Sequence, residues 1–220
     1  SCPPPHPEHT VKRRRQRQMC IRDRNKKVNL IESEAHAILI PGSGTYSKKI
    51  STQNKEVQQF FYQGLRLAWG FYFPESIASY LEAARHEPDH PMPYWGMAHA
   101  MGPNPNSRYS GMPDDPNGEG FKAIKKAMDR IENASDMEAK LIHALHTLYD
   151  KDAYPDAKRR DQAYLAAMRK LNRDYPNDPD IAALYASSYM SIQRWNYWGD
   201  QGEPISETLS VAEALEHIMS

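Results

Sequence analysis

Apolar residues recur at intervals of three and four along most of the chain, beginning near Glu56. In EVQQFFYQGLRLAWG, residues Val57, Phe60, Phe61, Gly64, Leu65 and Ala68 fall on one stripe of a helix with 3.6 residues per turn. Pro74 suits the first turn of a second helix, where a missing N–H costs nothing. Ile77, Tyr80, Leu81 and Ala84 continue that helix until Pro88 stops it. Gly64 and Ala83 are small, as two closely approaching helices require, while Phe60 and Tyr80 supply bulk.

The same pattern predicts more helices downstream. MPYWGMAHAM starts immediately after Pro91, and a stretch rich in Pro, Gly and Asn (residues 102–117) interrupts its return. Phe121, Ile124, Met128 and Ile131 form the next stripe. Ser135 and Glu138 make a capping-box pattern that opens another helix, with Met137, Leu141, Leu145 and Leu148 facing inward. Tyr164, Ala167, Met168 and Leu171 mark its partner. PNDPDIAALYASSYMSI follows, RWNYWGDQGEP breaks the pattern, and Leu209, Ala212, Leu215 and Ile218 stripe the last helix. The expected fold is all-α: about four antiparallel helix pairs over residues 55–220. Residues 28–54 form an irregular lead-in in which HAILI is the one candidate strand.

The first helix–turn–helix unit is about 34 residues long, which is the tetratricopeptide (TPR) period. Beyond that spacing, FFYQGLRLAWGFYFPESIASYLEAARHEPDHPMPYWGMAHAMGPNPN resembles the opening repeats of a bacterial family of uncharacterised TPR proteins. DYPNDPDIAALYASSYM with WNYW is similar to a later portion of that family, so the likeness covers about residues 41–220. The resemblance implies an α-solenoid of bacterial origin, cytoplasmic or periplasmic, with no catalytic residues to carry over. It also implies further repeats beyond residue 220, which would leave the last apolar stripe uncovered and prone to self-association.

Charge changes the picture at one end only. The 220 residues have 28 basic and 28 acidic side chains, yet nine of the basic ones lie in residues 12–27 beside the single acid Asp23. From residue 28 onward the chain carries a net charge of about −7. Residues 1–27 have no periodic apolar face and read as an unstructured, non-native extension; QRQMCIRDR resembles translated sequencing-adapter read-through. An arm that grips nucleic acid is the alternative reading, and it is set aside with that segment. Both cysteines, Cys2 and Cys20, fall there, so the body has no disulfide and no thiolate metal site. No apolar run reaches the roughly 18 residues of a membrane span.

Candidate chemistry is sparse. GSGTYSKK has the flavour of a phosphate loop but lacks the P-loop spacing and reads as a turn. His86, His90 and His99 flank one helix junction and His143 and His146 share a helix face, yet no third ligand sits at a zinc spacing, so no metal or cofactor is expected. No pair of carboxylates stands in an apolar setting suited to acid–base work. The aromatic breaks are better candidates. Tyr94, Trp95, Asn104, Asn106 and Tyr109 surround one, and Trp195, Asn196, Tyr197 and Trp198 the other. Trp and Tyr give large contact areas at low entropic cost, and Asn adds directional hydrogen bonds. In a stack of helix pairs both breaks fall on one edge, so Tyr94, Trp95, Asn104, Asn106, Trp195 and Trp198 are expected around one recess with Tyr154 at its floor. The competing expectation is that these rings plug the core. The function expected is non-enzymatic: a scaffold for a protein or peptide partner, or an accessory module of a longer enzyme or redox protein.

Overall fold

The computed structural model describes residues 35–104 and 112–220. The basic run, the first part of the lead-in, Asn106 and Tyr109 lie outside the described residues. Among the described residues eight α-helices follow one another: α1 (Lys55–Trp69), α2 (Phe73–His86), α3 (Met92–Met101), α4 (Pro116–Met128), α5 (Asp136–Thr147), α6 (Ala157–Asp174), α7 (Pro179–Gln193) and α8 (Thr208–Met219). Each packs on the next, and α1 also touches α3 as α3 touches α5, so these odd-numbered helices form one row of an all-α stack of helix pairs.

Local chemistry starts the helices where the sequence places them. Asn54 accepts the N–H groups of Glu56 and Val57, and Asp178 accepts those of Asp180 and Ile181, satisfying donors that a helix end leaves open. Ser135 and Glu138 form both halves of the expected capping box. Proline occupies the first turn of α2, α3, α4 and α7.

The core runs through the stack without interruption. Tyr80 is its first wedge. The fully buried ring lies against Gly64 of α1 and Gly96 of α3, where a Cβ on either glycine would come within 3 Å of it. The three helices can approach this closely because two of them offer bare backbone.

Several expectations are corrected. Phe121 is 40% exposed, so the inward face of α4 rests on Ala123, Ile124 and Ala127, and Ile131 belongs to a short 3₁₀ turn (Ile131–Asn133). In α8 it is Val211 that is buried, while Leu209 is half exposed. The candidate strand HAILI is extended but pairs with no other strand, and among the described residues the sole β-bridge joins Trp198 to Pro204. Among the described residues no helix is long and apolar enough to cross a membrane.

Candidate functional site

The extended lead-in supplies the most distinctive geometry. Residues 35–52 cross the stack as a strap held by side chains of the helices beneath it. Gln63 of α1 accepts the N–H of Ile40 at 2.7 Å and donates to the carbonyl of Ile38 at 2.9 Å. Gln58, further up α1, accepts the N–H of Ile50 at 3.0 Å and donates to the carbonyl of Lys48 at 3.2 Å. Each primary amide therefore clasps residues i and i+2 of an extended chain on one edge, as a neighbouring strand would. Gln63 is buried and also donates to Ser79 Oγ, which fixes its amide plane.

Charged groups extend this main-chain recognition. Arg66 donates to the carbonyl of Tyr46 and Arg85 to that of Ala35. Glu82 accepts the N–H of Ala37 at 3.3 Å and pairs with His36 and Arg85. On the far helix α7, the Asp180 carboxylate takes the Tyr46 hydroxyl on one oxygen and Lys48 Nζ on the other, the latter at 2.7 Å. Tyr46 and Lys48 are two residues apart, so they project from one face of the strap. Burial and the hydrogen bond to Asp180 push the Tyr46 phenol well above its ordinary range. The segment that reads as a failed phosphate loop is this Asp180-binding stretch.

At its anchored end the strap meets the first turn of α5. Glu138 accepts both the N–H (2.7 Å) and the hydroxyl of Ser51, as well as the N–H of Ser135. Burial opposes the charge of Glu138, but the hydrogen bonds from Ser51 and Ser135 outweigh it and hold the carboxyl below its usual range. Ser51 Oγ lies 3.4 Å from His90 Nε2, giving a Ser–His–Glu group that invites a nucleophile reading. The hydrogen bonds run the wrong way for it. His90 Nδ1 accepts the N–H of Met92, so Nε2 carries the proton and donates to the hydroxyl it would have to deprotonate. Glu138 holds the serine and not the imidazole, which makes the group a joint.

The aromatic candidates separate. Trp95 is 1% exposed, donates Nε1–H to the Leu141 carbonyl and stacks on His99, so it plugs the core. Tyr94, next to it in the first turn of α3, is buried and bonded to the Pro88 carbonyl, with Lys126 and Arg130 over its ring. Tyr197 packs near Tyr189. Trp195 and Trp198 are 70% and 53% exposed. The described ends of the two breaks meet at one recess. Ser191 Oγ is 3.5 Å from the Pro103 carbonyl, and a recess of about 220 Å³ is lined by Pro103 and Asn117 of the first break, Lys151 and Arg160 near the middle turn, and Arg194 of the second. Tyr154 sits in that turn, its carbonyl accepting from Arg160, while Asn104 is partly buried with its Oδ1 enclosed. The recess mixes cations (Lys151, Arg160, Arg194) with Asp161, Tyr149 and aliphatic groups; the indoles stand outside it.

His99 takes no part in the recess. Its ring lies between Trp95 and Trp69, and burial pushes its pKa down to about 4. It borders a cavity of about 20 Å³ that also meets Tyr164, Ser187, Ser188 and Ser191. His86 lies against Glu56 and Glu82, and among the described residues no three His, Cys, Asp or Glu side chains gather as a metal site would need.

The missed binding residues were Gln58, Gln63, Arg66 and Asp180. Their one advance signal was a polar residue, Gln63, on the buried side of an apolar stripe. Together they define an all-helical repeat with an extended segment seated across it. Comparison with protein families, with curated proteins and with solved structures found no match.

Proposed function

We propose that the chain is a non-enzymatic TPR-type scaffold whose helix row holds an extended peptide segment of a partner protein. The observation that carries this is the pair of glutamine clasps on α1. Each binds main-chain N–H and C=O groups two residues apart, and so accepts an extended backbone whatever its side chains. Side chains of α2, α5 and α7 continue the same track over the stack. A helical repeat provides a long, rigid surface for such a segment, and the fixed amide of Gln63 limits the entropy lost on binding. The Ser51–His90–Glu138 joint supports binding over catalysis, since its proton lies on the nitrogen a base would need free.

Peptide display on the full chain tests this, using a variant with the strap loosened by Ile40→Pro, which deletes the N–H that Gln63 accepts. Enriched peptides should lose about tenfold in affinity when Gln63→Ala is added, the cost of two main-chain hydrogen bonds at about 1 kcal/mol each, partly offset by solvent. Enrichment of no sequence, or of sequences indifferent to Gln58 and Gln63, would overturn the proposal.

A further inference from the structure

We infer that the strap is a resident stand-in for the partner, and that the partner segment is a basic one whose cationic side chain takes the place of Lys48 on Asp180. The inference rests on the reading of the helix row as a peptide-binding surface and adds the chemistry of the occupant.

Charge complementarity comes first. Among the described residues, Glu82, Glu87, Glu138 and Asp180 put carboxylates on the strap. The cations facing it from the same helices are Arg66 and Arg85, and both donate to main-chain carbonyls. Glu82 is matched locally by Arg85 and His36, and Glu138 by hydrogen bonds from two serines. Asp180 is different: it meets the strap's own Lys48, with both side chains nearly buried at 12% and 14% exposure. A partly enclosed carboxylate whose lysine has left needs another cation, because an unpaired charge in that position is costly. The surface therefore rejects acidic and neutral segments at this point and accepts a lysine or arginine.

The strap is also built to be replaced over most of its length. Ile38, Leu39 and Ile40 are exposed at 77%, 43% and 44%, so its first half is held by hydrogen bonds and little apolar contact. Ser43, Gly44 and Thr45 then pass over a depression of about 560 Å³ walled by Arg66, Trp69, Pro179, Asp180 and Ala183, into which Tyr46 is the one large side chain the strap contributes. Apolar anchoring begins only at Ile50, which is buried, beside Ser51 on Glu138. A partner that keeps the backbone spacing and the cation, and fills the depression beside Trp69 more fully than Tyr46 does, gains contacts the strap lacks. It competes against a tethered segment whose effective concentration is on the order of millimolar, so the unaided surface favours the strap over weak binders.

The experiment uses the full chain in two forms, native and released by Ile40→Pro with Lys48→Glu. The probes are two fluorescent synthetic peptides, one with the sequence of residues 35–50 and one identical except for Lys48→Glu. The released form should bind the lysine peptide at least about tenfold more tightly than the native form does, and more tightly than it binds the glutamate peptide by a similar factor. Adding Asp180→Ala should abolish the preference between peptides. Equal binding of both peptides would overturn the basic-segment inference and leave the scaffold reading intact. Binding of neither peptide by the released form would overturn both. Equal affinity of native and released forms for the lysine peptide would show that the strap excludes nothing. Far-UV circular dichroism checks that the released form is folded, and a second form cut at a protease site inserted between Gly42 and Gly44 frees residues 35–41 without a substitution in the helices.

Discussion

The imidazole of His99 lies parallel to the indole of Trp95, with ring centroids 5.3 Å apart and planes within 4°. Trp69 closes on the other side at 5.9 Å, and His99 Nδ1 is buried without a hydrogen-bond partner. Burial strips the protonated ring of water, so the folded pKa falls to about 4 from the ordinary 6.5. The unfolded chain takes up the proton below 6.5 and the folded chain does not until about 4. Stability should be full above 6.5 and fall across that window, by at most about 1.4 kcal/mol per pH unit from this residue. His90, pushed down mainly by burial, adds to the trend. Urea titrations at pH 7, 6 and 5 should show a shallower decline in His99→Phe, which keeps a ring beside Trp95. An unchanged slope would mean that His99 is reached by protons in the folded state.

Gly64 and Gly96 are predicted to be intolerant of a single methyl group. A Cβ at either position comes within 3 Å of the Tyr80 ring, which is fully buried and cannot swing away. Gly64→Ala and Gly96→Ala should each cost about 1–3 kcal/mol, as overpacked cores do. Adding Tyr80→Leu to either should recover part of the loss. A gain in stability from either alanine, as expected at an open helical glycine, would show that the contact is not tight.

The tryptophans should divide sharply on truncation. Trp95→Ala removes a core ring and leaves the Leu141 carbonyl without its donor, for a loss of about 3–5 kcal/mol. Trp195→Ala and Trp198→Ala remove exposed rings and should change stability by no more than about 0.5 kcal/mol. Thermal melts of the three variants decide this. If partner capture depends on the second break, it should be these two stable variants that lose it.

Glu207 pins the last helix. It accepts a forked pair of hydrogen bonds from Arg169 of α6 and a third from the Tyr185 hydroxyl at 2.8 Å. Burial opposes its charge, yet these donors hold the carboxyl below its usual range, so the contribution is present above the ordinary 4.5 and is lost as pH falls through the lowered value. Glu207→Gln should raise amide hydrogen exchange in α8 at neutral pH and leave α1–α3 unchanged. Uniform acceleration would indicate that α8 does not open on its own.

Helices were legible in the sequence where the apolar period was joined by a cap, as at Ser135, or by a proline, as at Pro74 and Pro179. Phe121 misled because a stripe at helical spacing cannot say which of two adjacent faces meets a neighbour; Ala123 and Ala127 allow the close approach, and the larger ring stays outside. Trp95 misled in another way. An aromatic residue near a loop rich in Gly and Asn looks like a recognition element, and its burial depends on α5 supplying the Leu141 carbonyl from 46 residues away. The strap was the least legible of all. Its bonds join main-chain atoms, which have no sequence signature, to side chains on helices distant in the chain, and only the buried Gln63 hinted at them.

The strap changes how the stack holds together in time as well as in space. A row of helix pairs is a one-dimensional system in which each unit depends on its immediate neighbours, and the ends can melt while the middle persists. Here Lys48 and Asp180 are joined across 132 residues, and Ser51 and Glu138 across 87. Those links connect the first unit to the third and fourth without passing through the second. The row becomes a closed circuit, so that fraying at the α7 end must also break contacts made from the front of the chain. Any segment that lifts residues 35–48 away would reopen the circuit, and recognition at α1 would be felt as altered cooperativity at α7 and α8, more than 100 residues away in sequence.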